Sequence, residues 1–230
     1  MTAPSSTIED RLAAIQGRVA EAAMRSGRDA GDVTIVGVSK TVAWPEIARA
    51  YDAGLRHFGE NRVQDARARI PADHPIDFIL HMIGQLQTNK VGQALDLFDT
   101  FESIDRPSLI DELEKQAAKR ERIVPVLLQV NIAAEDQKAG CDPADAPALT
   151  RQIATCAHLS LQGLMTMAPL VEDVELARPT FRGLRTLRDR LADDLGIALP
   201  TLSMGMSNDF PIAIEEGATH VRIGRAIFQS

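Results

Sequence analysis

The feature that most narrows the fold is alternation. Short, almost wholly apolar runs recur along the 230-residue chain, and each is followed by a longer segment of helical periodicity. The first run is "VTIVGV" at 33–38; further strands are expected near 55–58, 77–83, 98–103, 123–131, 159–166, 200–203 and 219–223. Strands apolar on both faces belong in a parallel sheet covered on both sides, because each parallel connection carries the chain back along a helix. Helices are expected near 44–53, 61–69, 88–96, 106–119, 143–157, 174–195 and 208–216. The clearest is 174–195, where Ala177, Phe181, Leu184, Leu191 and Leu195 form one stripe.

Eight such units in a chain of this length match a (β/α)8 barrel of the TIM type. A further helix is expected at 7–25, carrying Ile8, Leu12, Ile15, Val19 and Met24 and capped by Ser6 or Thr7. No helix is expected after the eighth strand. The 7–25 helix can take that place, since the first and last strands of a closed barrel are neighbours. One domain is therefore expected over 1–230, with 1–30 forming a helical N-terminal segment packed on the barrel. The rival architecture, an open doubly wound sheet, wants a glycine fingerprint after its first strand, and none is present.

Composition excludes several functions. A net charge of −7 gives no basic face for nucleic acid or an anionic membrane. No apolar run approaches the ~18 residues needed to span a bilayer. The opening "MTAPSSTIEDRLAAIQ" lacks the charged-then-apolar layout of a signal peptide. Two cysteines, Cys141 and Cys156, stand at no metal-ligand spacing, and the four histidines besides His81 show no convergent spacing in the sequence. A reduced, cytoplasmic setting and no metal are expected.

At the C-terminal face of a barrel, phosphate often sits at the loops after strands seven and eight. "SMGMSND" (203–209) reads as the first of these loops, with Gly205 permitting close backbone approach and Ser207 starting a short helix. "RIGR" (222–225) ends strand eight with Gly224. Two ordinary turns would read the same way. Lys40 ends strand one, beside strand eight. A lysine desolvated in the barrel mouth is a nucleophile, and beside a phosphate corner it suggests an aldehyde-bearing phosphate ester such as pyridoxal 5′-phosphate. The plain alternative is a snorkelling surface lysine. Arg222 lies two positions before Gly224, so both face one side of strand eight. On the cavity side it can meet a pyridine nitrogen, and because arginine keeps its proton the ring would stay unprotonated, a weaker electron sink.

These stretches stand in an ordered series with others: "VGVSKT" (36–41), "FGENRVQ" (58–64), "HMIGQLQTNK" (81–90), "VNIAAEDQKAG" (130–140), "LQGLMTM" (161–167), "SMGMSNDF" (203–210) and "VRIGRAIF" (221–228). The sequence resembles the pyridoxal phosphate homeostasis protein family from about residue 33 onward. The resemblance implies a single barrel like the N-terminal domain of alanine racemase. It also implies pyridoxal 5′-phosphate held covalently on Lys40 as a Schiff base. It carries phosphate contacts to Ser203, Met204, Ser207 and Gly224, and places Asn61, Asn131 and Met165 along the cofactor. Lys90 and Lys138 also match family positions. Arg225 stands where the family often has threonine, and Arg62 where it often has tyrosine.

The implied role is buffering the cofactor and delivering it to apo-enzymes, by a monomer or weak dimer without established turnover. A racemase on small amino acids is the enzymatic alternative. It needs a second base, and the lone Tyr51 falls in the helix after strand one, away from the mouth; His81 reads better as a hydrogen-bonded core histidine. A barrel binding another phosphate ester, with Lys40 only as an ion pair, is the third reading.

Overall fold

Parallel strands buried on both faces leave hydrogen-bonding edges unless the sheet closes on itself. In the computed structural model, which describes residues 6–133 and 139–229, it does close. The strands are β1 (Thr34–Val38), β2 (His57–Glu60), β3 (Ile79–Met82), β4 (Thr100–Ile104), β5 (Val124–Gln129), β6 (Leu159–Met165), β7 (Thr201–Met206) and β8 (His220–Ile223). They pair in sequence order, all parallel, and β8 returns to β1 over Thr34↔His220 to Gly37↔Ile223. The outer layer is α1 (Ile8–Arg25), α2 (Trp44–Asp52), α3 (Val63–Arg69), α4 (Val91–Leu95), α5 (Pro107–Ala118), α6 (Ala146–Thr155), α7 (Arg178–Leu195), α8 (Phe210–Glu215) and α9 (Arg225–Phe228).

The expected position of α1 holds. Thr7 and Asp10 form a reciprocal capping box at its start, satisfying two otherwise orphaned N–H groups. Its buried stripe of Ile8, Leu12, Ile15 and Val19 packs against α2, α8 and α9, over the seam where β8 meets β1. Polar links fasten it: Arg11 donates to the Ile227 carbonyl at 2.7 Å, and Arg25 pairs with Glu215 at 2.7 Å. The expectation of no helix after strand eight is corrected. The single turn α9 follows it, because Ile227 and Phe228 bury against the core.

The hydrophobic core lies between barrel and helices. Phe58 of β2 stacks on Phe78 with centroids 4.2 Å apart, and Trp44 at the start of α2 covers the same cluster at 5.9 Å. The barrel interior is different in kind. His81, Glu102, Ser203 and Arg222 are all buried there, each at most 4 % exposed. No helix among the described residues is long and apolar enough to cross a membrane.

A second correction concerns strand seven. It runs to Met206, so "SMGM" is strand and the loop proper is only Ser207–Asp209. Gly205 has φ +91°, and a Cβ there would lie 2.5 Å from the Ala213 Cβ and 3.0 Å from the Phe210 Cα. Its glycine serves the packing of α8 onto β7, rather than backbone approach to an anion. The register with β8 also shifts between Ser203 and Met206, as at a bulge, which re-aims the strand end. Gly205→Ala is expected to lower unfolding free energy by about 1–3 kcal/mol, from the strained φ and the clash with α8. Urea titration of both proteins checks this, and an unchanged midpoint would contradict it.

Candidate functional site

The C-terminal ends of β1, β7 and β8 surround a cavity of 460 Å³. Its lining includes Lys40 and Thr41 after β1, Met206–Asp209 after β7, and Arg222, Gly224 and Arg225 of the β8 end. Pro169, Leu170, Val171 and Val174, from the segment between β6 and α7, add an apolar wall. A groove of 600 Å³ also exists beside residues 67–72, but it lies on the outer layer and shares no lining residue with the mouth.

Lys40 sits in the turn that follows β1. The turn is held from below: the Ser39 hydroxyl donates to Glu60 at 2.7 Å, and Arg69 of α3 donates to the other Glu60 oxygen at 2.6 Å. Glu60 is fully buried; burial pushes its carboxyl up, while Ser39 and Arg69 pull it back toward the ionised form. Lys40 itself is exposed. The expectation of a desolvated lysine is therefore corrected. Two residues beyond the strand end, its side chain has left the dry interior and stands at the rim.

After β7, the Asp209 carboxylate accepts from the Met206 N–H at 2.5 Å and shapes the Ser207–Asn208 turn. The N–H groups of Ser207 and Asn208 donate to no described residue, so two donors and the Ser207 hydroxyl are available at the cavity wall.

Beneath the cavity lies Arg222. Its Nη1 donates to the Ser203 hydroxyl at 2.6 Å and its Nη2 to the Thr166 carbonyl at 2.8 Å. Ser203 in turn donates to Glu102 at 2.5 Å, and the other Glu102 oxygen accepts from His81 Nδ1 at 2.7 Å. Burial alone would push Glu102 up, but the His81 hydrogen bond and the positive charge of Arg222 hold it down at about 2. His81 Nε2 meets His57 Nδ1 at 2.9 Å. Burial, then the neighbouring His81 and His220, pushes His57 down to about 4. Burial pushes His220 down to about 4 as well, against the pull of Glu102.

The comparisons with known proteins bear on this site. Residues 11–230 match the family described as alanine racemase, N-terminal domain. The pyridoxal phosphate homeostasis protein of Aquifex aeolicus is 42 % identical over 220 residues, covering 95 % of this chain and 96 % of that one. Among solved structures, PipY of Synechococcus elongatus, determined with PLP bound, is 35 % identical with a TM-score of 0.84, covering 96 % of this chain and all of that one. Alanine racemase of Corynebacterium glutamicum, 16 % identical with a TM-score of 0.69, covers 94 % of this chain and 60 % of its own, and shares the fold.

The chain belongs to the pyridoxal phosphate homeostasis protein family.

Of the residues that the resemblance to this family singles out, the fold brings Lys40, Ser207 and Gly224 to one cavity, together with Arg222, which strand periodicity singles out. Ser203 and Met204 are not brought there. Both are fully buried in β7: the Ser203 hydroxyl is engaged by Glu102 and Arg222, and Met204 belongs to the hydrophobic core. Asn61 follows β2, Asn131 follows β5 and Met165 ends β6, on the same rim of the barrel but outside the lining of this cavity. Lys90 lies half-buried at the start of α4; Lys138 lies outside the described residues. Tyr51 points away from the mouth, hydrogen-bonded to Asp77 with Arg56 over its ring.

Glu102, Thr166, Glu60 and Asp209 were missed by sequence reasoning. A glutamate inside "TFESI" is a signal in itself, since a charge in an apolar strand demands a partner. Burial pushes the Cys141 thiol up to about 12 and the Cys156 thiol to about 11, so both are poor nucleophiles. No cluster of His, Cys, Asp and Glu among the described residues has the arrangement to hold a metal.

The two depressed histidines make stability pH-dependent. Their folded values lie near 4, below the ordinary 6.5, so between these pH values the unfolded chain binds more protons. Their contribution is complete above about 6.5 and is lost as pH falls toward 4. The Tm is expected to drop across that window, and His57→Asn, which keeps a polar atom near the Nδ1 position, is expected to flatten the slope. Equal slopes in scans of both proteins from pH 7 to pH 4 would refute the assignment to His57.

Proposed function

We propose that the mouth cavity binds pyridoxal 5′-phosphate, and that the protein serves cytoplasmic cofactor homeostasis by holding it and passing it to apo-enzymes. The observation that carries this reading is that Lys40, the two free amides of the Ser207–Asn208 turn and the Arg222 guanidinium share one cavity. That donor set suits the cofactor: an amine for its aldehyde, N–H groups for its phosphate, and a fixed cation for its ring nitrogen. The names of the relatives, homeostasis protein and PLP-bound PipY, support it.

In this proposal Lys40 is the residue that would hold the cofactor covalently, its amine serving as the partner for the aldehyde in a Schiff base. The Ser207 hydroxyl, the amides of Ser207 and Asn208, and the bare backbone at Gly224 would hold the phosphate. Arg225, at the same cavity, supplies a cation where the family often has a threonine hydroxyl. Asn61, Asn131 and Met165, at the ends of β2, β5 and β6, would border the ring, as the resemblance to the family implies. Ser203 acts from below, on Arg222. When bound, the cofactor contributes an electron-withdrawing ring.

Arg222 donates but cannot accept a proton, which keeps that ring nitrogen unprotonated and weakens the pull on an amino-acid carbanion. A racemase would also need a base on the opposite side of the substrate. Tyr51 is committed to Asp77 on the outer layer, and His81 is buried with both ring nitrogens engaged. Likeness to alanine racemase is a likeness of fold.

Borohydride reduction of the loaded protein followed by peptide mass spectrometry is expected to find the cofactor on Lys40, and Lys40→Ala to abolish the adduct. An adduct on another lysine would sink the assignment. Ser207→Ala is expected to weaken cofactor binding about tenfold, ~1.4 kcal/mol, the scale of a hydrogen bond to a charged group. Unaltered affinity would remove Ser207 from the phosphate site. With L-alanine in deuterium oxide, no α-proton exchange at enzymatic rates is expected; exchange at ~1 s⁻¹ or faster would make the protein a catalyst.

A further inference from the structure

Five side chains from five strands form an unbroken hydrogen-bonded file through the barrel. It runs from His57 through His81, Glu102 and Ser203 to Arg222. At one end His57 lines a cavity of 480 Å³ beside Thr34 and Arg56, at the N-terminal ends of β1 and β2. At the other end Arg222 lines the mouth. Core packing alone would favour apolar residues here. A fully buried carboxylate is costly unless its partners replace water, and this file provides those partners.

The file has a forced direction. An ionised carboxylate only accepts, so Ser203 must donate its single proton to Glu102. That leaves the Ser203 oxygen to accept from Arg222, whose guanidinium can only donate. On its other side Glu102 takes the Nδ1 proton of His81, so exactly one proton remains to lie between His81 Nε2 and His57 Nδ1. Arg222 has a second anchor in the Thr166 carbonyl, from the end of β6. Two anchors on two strands fix the plane of the guanidinium under the cavity. Were Glu102 neutral, it could donate to Ser203, and the direction of the Ser203 hydroxyl beneath Arg222 would no longer be forced.

We propose that Glu102 is a positioning residue for the cofactor site: through the Ser203 hydroxyl it fixes the Arg222 guanidinium at the floor of the mouth and supplies the negative charge that balances it. This rests on the reading that the mouth binds pyridoxal 5′-phosphate. The charged and titratable groups that face the pair are His57 of β2, His81 of β3, His220 of β8 and Asp209 beyond β7. Glu102 lies 4.0 Å from Arg222 Nη1, so removing its charge leaves the arginine balanced chiefly by Asp209 and makes the mouth more positive.

The test is a pH titration of the visible absorption of the cofactor-loaded protein. A more positive mouth disfavours the protonated form of the Lys40-bound cofactor. In Glu102→Gln the midpoint is therefore expected to fall by about 0.5–1 pH unit relative to wild type, with the cofactor still trapped on Lys40 by borohydride. Ser203→Ala deletes the link between Glu102 and Arg222 with little change of volume, and is expected to shift the midpoint too. It serves as the deciding variant if Glu102→Gln does not fold. Glu102→Asp, which restores the charge, is expected to recover most of the shift.

A purely structural role for Glu102 would lower the Tm and leave the midpoint at the wild-type value, and that result overturns the proposal. So does a Ser203→Ala protein that loses affinity without a shift, since Ser203 would then be acting on the phosphate. If the wild-type protein itself traps no cofactor on Lys40, the binding reading fails and this proposal with it; a wild type that traps cofactor beside variants that titrate unchanged fails this proposal alone.

Discussion

The site exists because the sheet closes. Hydrogen bonds between β8 and β1 bring the last strand beside the first, with Val36 opposite Arg222. Lys40 then stands at the same cavity as Gly224 and Arg225, although they lie at opposite ends of the sequence. Helix α1 guards that seam by packing on α8 and α9, and its arginines tie the two ends of the chain together. A weakened seam would cost more than stability: it would separate the amine from the groups proposed to grip the phosphate.

Inside the closed barrel, polarity replaces the usual apolar layers. Phenylalanines carry the core outside the sheet, between strands and helices, where Phe58, Phe78, Phe98, Phe101, Phe181 and Phe210 are all fully buried. This division separates two tasks. Apolar area removed from water supplies the folding free energy. The interior file of His57, His81, Glu102, Ser203 and Arg222 adds little net stability, since buried ion pairs roughly offset their own desolvation. What it adds is geometry. Its links run in one direction onto Glu102, and Arg222 is anchored on both Ser203 and Thr166, which fixes the floor of the mouth.

Much of this was legible in sequence. The count of strands, their order and the role of the N-terminal helix follow from periodicity and from the neighbour relation in a closed barrel. Lys40 and Ser207 were legible because the position of a residue at a strand end fixes which rim it occupies. What escaped were relations between strands. Nothing in "TFESI" says which strand will meet Glu102, because its partners come from β3, β7 and β8. Gly205 misled for a related reason. A glycine next to a suspected anion site reads as room for a ligand, whereas here the room is taken by Ala213 and Phe210 of the following helix. The length of β7 was misjudged with it, since the bulge lets the strand continue through a glycine at positive φ.

A cofactor carrier has to satisfy two opposing demands, and they fall on different parts of this mouth. In the proposed binding mode, release would require that another amine reach the carbon held by Lys40, which a closed site would prevent. Lys40 is exposed, in a turn beyond the strand that is closed by the Val42 N–H on the Ser39 carbonyl and held from beneath by Ser39, Glu60 and Arg69. Specificity requires that ring and phosphate meet groups already in place, so that little entropy is lost on binding. The groups proposed to meet them sit on the floor and at the β7 and β8 ends, where Asp209 pins the Ser207–Asn208 turn and Arg222 is linked to Glu102 through Ser203. An accessible rim on an ordered floor gives retention without sequestration. In the proposed binding mode the same arrangement would disfavour catalysis, because an arginine facing the ring nitrogen cannot supply the acidic partner that strong carbanion stabilisation needs.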